Sequence, residues 1–168
     1  QPSKALRSIS PQEQSYLDTW KSILKEEKNS YVLMLDDDVR FSYNFSTHLR
    51  AFLSSVPQDW DILYLGASQH RWQDIHKQNN YYKAHNTKGS FAVFMSPSGV
   101  QKVNKILQET DYTKPLDELL HLMQAKKYVA YPNVVISDVA QSTMRKPRNV
   151  QRHAQRMQWN LNNYDYFK

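Results

Sequence analysis

Four short apolar runs, separated by longer segments of mixed polarity, most constrain how this chain can fold. The runs are YVLML, DILYLG, SFAVFM and YVAYPNVVIS, at residues 31–35, 61–66, 90–95 and 128–137. Short apolar runs bounded by Gly, Pro, Asp or Ser are typical of β-strands. We expect the first run to be apolar on both faces, as in a buried strand. Between the runs, apolar residues recur at helical spacing, and strands that alternate with helices predict an α/β fold.

The start of the chain carries the clearest helix signal. SPQE, at residues 10–13, predicts a capping box in which Ser10 and Glu13 satisfy each other's backbone amides, with Pro11 at the first helical position. The helix is expected to run to about Lys28. After the first strand, Ser46 is predicted to cap a second helix.

Composition limits the class of protein. With 168 residues, 40% of them hydrophobic, the chain can bury one core, and we predict a single domain over residues 1–168. The net charge of +6 favours phosphates or acidic surfaces as partners, but the basic residues are spread along the chain. The absence of cysteine excludes disulfides and thiolate metal sites.

No apolar run approaches a membrane span, so we expect a soluble protein, with the compartment open and the cytoplasm one candidate. The absence of an initiator Met suggests a piece of a longer chain, and the oligomeric state stays open.

Three consecutive aspartates, Asp36, Asp37 and Asp38, follow the first apolar run directly. Asp is depleted in strands, and adjacent carboxylates repel one another, so strand formation gives no reason for them. In open α/β sheets ligands bind beyond the carboxyl ends of strands, and alternation would turn Asp36 and Asp38 to the same side. Two converging carboxylates suit Mg²⁺ or Mn²⁺. The alternative is a solvated turn whose aspartates cap backbone amides.

Two enzyme families carry a similar aspartate motif. An apolar strand followed by D-x-D-V resembles the first motif of haloacid-dehalogenase-like phosphotransferases, which implies Asp36 as nucleophile and Asp38 as acid and base. That family also has a later acidic metal motif after a strand, and a lysine anchor. The segment VVISDVAQS offers only Asp138 for that metal motif.

More of the chain resembles glycosyltransferase family 25 and related GT-A glycosyltransferases. LMLDDDV is similar to that family's hhhEDDV segment, in which a D-x-D motif holds Mn²⁺ against the diphosphate of a nucleotide sugar. WDILYLG follows it, and KGSFAVFMSPSGVQKV resembles the family's G-(T/S)-x-(A/G)-h-h-h-S-x-x-G unit. KPLDELLHLM is similar to its P-V-D-x-h-L unit, and SDVAQSTMRKPR resembles the tail of bacterial and viral relatives. The resemblance covers about residues 10–152.

This resemblance implies a GT-A-like mixed sheet flanked by helices, with one departure. GT-A domains usually place two further strands and helices before the D-x-D motif, where they hold the nucleoside base. Here the motif already occurs at Asp36, so we expect the chain to lack part of the N-terminal nucleotide-binding half. Either the sequence is a fragment, or the family pattern is shortened, or another segment or chain holds the base.

The resemblance also implies the reaction and its residues. The expected activity is metal-dependent transfer of a sugar from a nucleotide-diphosphate sugar to an acceptor hydroxyl, with inversion, and the acceptor is a glycan, a lipid-linked molecule or a protein. Mn²⁺, or Mg²⁺ in its place, would bind Asp36, Asp38 and Asp138, with His153 as another candidate ligand. The donor would contact the residues Asp36, Asp37, Gly89 and Ser90.

An inverting transfer needs a carboxylate that removes the proton of the acceptor hydroxyl. Asp117 is the candidate base and Glu118 the second choice, although an acid in the first turn of a helix is also explained by the helix dipole. Arg145, Lys146 and Arg148 could approach phosphates or form a solvated face. A third hypothesis, a non-catalytic module that binds nucleic acid or an anionic glycan, explains the positive charge but not the aspartates.

Overall fold

A five-stranded mixed sheet forms the centre of the computed structural model, which describes residues 9–140 and 148–165. Its strands are β1 (Val32–Leu35), β3 (Ile62–Tyr64), β5 (Tyr81–Lys83), β7 (Ala92–Met95) and β8 (Lys127–Ala130). Two pairs of short strands lie outside it: β2 (Val39–Phe41) with β9 (Val135–Ser137), and β4 (Ser68–Gln69) with β6 (Thr87–Lys88). The helices are α1 (Pro11–Glu26), α2 (Phe45–Ser55), α3 (Pro97–Glu109), α4 (Leu116–Leu122) and α5 (Val150–Met157), with 3₁₀ turns at Trp72–Asp74 and Leu161–Asn163.

The strand order in the central sheet is β1-β7-β3-β8-β5. Strands β3 and β8 pair in parallel, with Leu63 opposite Tyr128, whereas the other three pairings are antiparallel. The predicted α/β fold with a mixed sheet flanked by helices is therefore confirmed.

Helices cover both faces of this sheet. Ile62 and Tyr64 pack in a core cluster with residues of α1, α3 and α4, whereas Leu63 packs in a second cluster with residues of α2 and α5. Successive residues of a strand point to opposite faces, so the continuous apolar run of β3 serves both clusters. The result is a three-layer arrangement with the sheet in the middle.

The predicted start of α1 is confirmed by its hydrogen bonds. The amide of Glu13 donates to Ser10 Oγ at 3.2 Å, and the amide of Ser10 donates to Glu13 Oε2 at 2.9 Å. The second helix differs from its prediction, because it begins at Phe45 with Asn44 at the N-cap, and no side chain caps it. Ser46 lies inside its first turn.

The expectation that β1 is buried on both faces is wrong. β1 is an edge strand whose Val32 and Met34 pack against the core, but Leu33 is 45% and Leu35 41% exposed. An apolar run does not tell which strand lies at the edge of a sheet, where the helical layer is incomplete. The aspartates therefore follow a strand with one solvent-facing side.

The C-terminal part contains a helix that the sequence analysis did not predict. In α5, Asn149 Oδ1 accepts a hydrogen bond from the amide of Arg152 at 2.8 Å and caps the helix. Ala154 and Met157 bury against the second core cluster together with Trp159 and Tyr164. Within the described ranges, no helix has both the length and the apolar character needed to cross a bilayer.

Candidate active site

A cavity of about 740 Å³ opens where β1 ends. All the residues proposed from the sequence for donor binding and catalysis line it, namely Asp36, Asp37, Gly89, Ser90, Asp117 and Glu118, and so does the proposed metal ligand Asp38. Asp138 is not among the lining residues, although its neighbours Ser137 and Val139 are. The structure thus brings together two chain segments, the aspartate turn and the start of α4, that the sequence related only by resemblance.

Backbone hydrogen bonds hold both ends of the segment that contains the three aspartates. The amide of Asp36 donates to the carbonyl of Phe91 at 2.9 Å, and the carbonyl of Asp38 accepts from the amide of Asp138 at 2.8 Å. Asp36 and Asp38 are half-buried, whereas Asp37 is exposed in the turn that leads to β2. The predicted separation of Asp37 from the other two is consistent with this burial.

Their carboxylates hold unfavourable negative charge. Burial, with the charges of Asp38 and Asp37, raises the pKa of Asp36 to about 6. The pKa of Asp38 is also raised, first by burial and then by the charges of Asp37 and Asp138. A divalent cation between Asp36 and Asp38 would relieve this repulsion, so the donor set fits a hard oxygen-binding metal.

The predicted third metal ligand, Asp138, already has two hydrogen-bond partners. Asp138 Oδ2 accepts a hydrogen bond from Arg40 Nη2 at 3.0 Å, and its Oδ1 accepts from the amide of Ala140 at 3.0 Å. Among residues 9–140 and 148–165, no three Asp, Glu or His side chains converge on one metal position. Of the predicted ligands, Asp36 and Asp38 line the cavity, as does the further candidate His153, and the metal itself stays a prediction.

Tyr16 is a site residue that the sequence analysis missed. Its hydroxyl donates to Asp36 Oδ1 at 2.7 Å, and Ser90 Oγ donates to the Tyr16 hydroxyl oxygen at 3.3 Å. The available signal was its position in α1, one turn before the buried Trp20, on the face that packs toward the sheet. A tyrosine there carries a polar tip into the protein and needs a partner.

Gly89 has a φ of +89°, which favours glycine. A Cβ at this position would lie 3.0 Å from the Phe91 ring and 3.2 Å from the amide nitrogen of Ser68. The backbone of Gly89 and Ser90 therefore lines the cavity without a bulky side chain at its first position. The φ and these two neighbours account for the glycine, and the close approach of a ligand stays a prediction.

The two acids of α4 differ in their surroundings. The Glu118 carboxylate forms an ion pair with the Lys88 ammonium. The negative charge of Asp117 acts on the Tyr64 hydroxyl. Burial is the larger cause that raises the pKa of Tyr64, and the Asp117 charge is the second. Both acids lie in the first turn of the helix, where the helix dipole stabilises negative charge.

Aromatic residues and a buried imidazole line another part of the cavity. The Trp159 ring contacts Phe91 and His153 at centroid distances of 6.2 and 5.3 Å. Burial, followed by the positive charges of Arg148, His70 and Arg156, lowers the pKa of His153 to about 4. The imidazole is therefore neutral at pH 7. Arg148 also lines the cavity, whereas Arg145 and Lys146 lie outside the described residues.

Comparison with known proteins gives a distant relation. No protein-family model matches the chain. Procollagen galactosyltransferase 2 of Homo sapiens and its counterpart in Mus musculus are each 26% identical to this chain over 125 residues. The match covers 69% of this chain but 19% of the length of each relative. The chain is thus related to glycosyltransferases, and it spans about a fifth of the curated relatives that it matches.

Proposed function

We propose that this chain carries the metal and donor site of a glycosyltransferase that moves a sugar from a nucleotide-diphosphate sugar to an acceptor hydroxyl. The observation that supports this most is the shared cavity, in which two repelling carboxylates, Asp36 and Asp38, accompany the acids at the start of α4. The relation to two galactosyltransferases favours sugar transfer over the phosphotransferase alternative. The GT-A type of fold and inversion at the sugar carbon belong to this proposal.

Asp36 and Asp38 would hold Mn²⁺ or Mg²⁺, which when bound neutralises the charge on the diphosphate leaving group. Asp37, exposed at the turn, lies on the same cavity and would contact the donor. The backbone of Gly89 and Ser90 would contact the donor sugar. The enzyme's own contribution is to hold these groups in place before the ligand arrives.

The acceptor hydroxyl must lose a proton as the new bond forms, and Asp117 is the proposed base. Glu118 is the weaker candidate because the Lys88 ammonium already pairs with its carboxylate. Because the relatives are procollagen galactosyltransferases, galactose is the donor sugar to test first and a protein the acceptor to test first. Glycan and lipid-linked acceptors remain within the proposal.

Thermal stability in the presence of ligands tests this function, because a ligand that binds only the folded state raises the Tm. We expect nucleotide sugars to raise the Tm only when Mn²⁺ is present, and Asp38→Asn to lose that effect. Equal stabilisation by oligonucleotides without Mn²⁺ would favour the anion-binding module instead. Phosphorylation of Asp36 during incubation with phosphate esters, detected by mass spectrometry, would favour the phosphotransferase.

A further inference from the structure

We propose that Tyr16 is a positioning residue that fixes the Asp36 carboxylate for cation binding. The inference rests on the proposed function, since it concerns the same site. Its basis is the 2.7 Å hydrogen bond from the Tyr16 hydroxyl to Asp36 Oδ1. Groups that hydrogen-bond to metal ligands orient them, and their loss typically weakens metal binding.

The rigidity of α1 makes Tyr16 suited to this task. The helix begins in a capping box, and its Leu17 and Trp20 are each 1% exposed. Tyr16 itself is half-buried between this buried face and the cavity. Its hydroxyl is therefore held by a packed helix, whereas Asp36 follows an edge strand with one exposed face.

The Tyr16 hydroxyl has two acceptors within reach. Asp36 Oδ1 lies 2.7 Å away and the Ser90 carbonyl oxygen 3.3 Å away, so the shorter bond goes to the carboxylate, which only accepts. Ser90 Oγ donates to the hydroxyl oxygen at 3.3 Å. The Asp36 amide is held by the Phe91 carbonyl at 2.9 Å. Two connections thus join Asp36 to the 90–91 segment, one through the backbone and one through Tyr16.

This arrangement also leaves one carboxylate oxygen for a ligand. Tyr16 occupies Asp36 Oδ1, and no donor in the described part of the chain reaches Oδ2. Packing alone does not require the hydroxyl, since a phenylalanine would place the same ring against Trp20, 6.2 Å away between centroids. The hydroxyl is accounted for by the contact that it makes with Asp36.

The test compares two substitutions, each of which removes a tyrosine hydroxyl that donates a hydrogen bond to an aspartate. Tyr16→Phe removes the bond to Asp36. Tyr112→Phe is the matched control, because it removes a 2.6 Å bond to Asp18 on the exposed side of the same helix. Binding of Mn²⁺, alone and with UDP, is measured from the loss of the free-ion signal in electron paramagnetic resonance. The Tm of the metal-free proteins is measured in parallel.

We expect Tyr16→Phe to weaken Mn²⁺ binding by roughly 10- to 100-fold, and Tyr112→Phe to leave it unchanged. The metal-free Tm values of the two variants should agree. Ser90→Ala, which keeps the Asp36 bond, should weaken binding less. Unchanged Mn²⁺ affinity in Tyr16→Phe would overturn the positioning role alone. Absence of Mn²⁺ binding in the unsubstituted protein, with and without UDP, would overturn the proposed metal site as well.

Discussion

Arg40 Nη2 lies 3.0 Å from Asp138 Oδ2, so a buried carboxylate beside the aspartate turn is neutralised by the strand that follows the turn. Arg40 is in β2, and Asp138 directly follows β9, the strand with which β2 pairs. The Asp138 side chain is 8% exposed and that of Arg40 39%. This ion pair therefore joins the strand that follows the aspartate turn to the segment that follows β9.

Arg40→Ala should destabilise the fold, because it leaves Asp138 buried without its counter-charge. Breaking a fully buried pair costs several kcal/mol, but Arg40 is partly exposed, so we expect a loss of about 1–3 kcal/mol in the free energy of unfolding. Urea denaturation measures it. Arg50→Ala, at an exposed position of α2, is the control and should change the midpoint little. Equal midpoints for the two variants would show that the pair contributes nothing.

Asp38→Asn should abolish Mn²⁺-dependent binding of a nucleoside diphosphate, and Asp36→Asn should weaken it less. The reason is that each change deletes one oxygen charge from the proposed metal site while keeping the side-chain shape. Calorimetric titration with Mn²⁺ and UDP checks the affinities, and circular dichroism checks the fold. Unchanged affinity in Asp38→Asn would remove this aspartate from the metal site.

Asp117→Asn should slow sugar transfer by roughly 10²–10⁴-fold, the usual contribution of a positioned general base, with little change in donor binding. Glu118→Gln should cost less, because Glu118 is paired with Lys88. Both rates are measured with a donor and acceptor that give turnover with the unsubstituted enzyme. Normal turnover in both variants would leave the helix dipole as the explanation for these acids.

Lys127→Met should destabilise the protein by about 1–3 kcal/mol, because three hydrogen bonds are lost at the end of α4. The Lys127 ammonium donates to the carbonyls of Leu120, His121 and Met123 at 2.7, 2.8 and 3.0 Å. Burial lowers the pKa of Lys127 to about 8, which keeps it mostly charged at pH 7. Lys126→Met is the matched control: Lys126 pairs with exposed Asp59, and the loss of this surface pair should change stability little. Comparable losses in the two variants would contradict a stabilising role for the three Lys127 hydrogen bonds.

The stability of the protein should fall on acidification partly because of His153. Its pKa is about 4 in the folded protein and near 6.5 in the unfolded chain, so between these values the unfolded chain binds more protons. The contribution of His153 to the free energy of unfolding therefore rises with pH across this window, and it is lost as the pH falls toward 4. His153→Leu should lose less stability between pH 7 and pH 5 than the unsubstituted protein, as measured by urea denaturation at each pH. Identical losses would mean that His153 does not titrate as expected.

The parts of the fold that depend on local chemistry could be predicted from the sequence. The capping box at Ser10 and Glu13 needs only neighbouring residues, and the structure contains it. The exposed side of β1 could not be foreseen, because Leu33 and Leu35 are apolar whether or not a helix covers them. Helix α5 was missed, although Asn149 followed by Ala154 and Met157 on one face was an available signal.

The candidate site divides in the same way. The position of Asp36 and Asp38 after a strand placed them at a strand end, where the cavity lies. Tyr16 and Arg40 were missed because each acts on a partner far along the chain, and one sequence does not reveal such pairs. Asp138 was predicted as a metal ligand from the family resemblance, and the sequence did not show that its carboxylate pairs with Arg40.

The cavity takes its lining from residues as far apart in sequence as Glu13 and Trp159. Contacts between such distant positions form only after long loops have closed, which is the slow part of folding in chains with many non-local contacts. No short segment of this chain therefore contains all the residues that form the cavity. Ligand binding here reports that folding has gone to completion, from the first helix to the last.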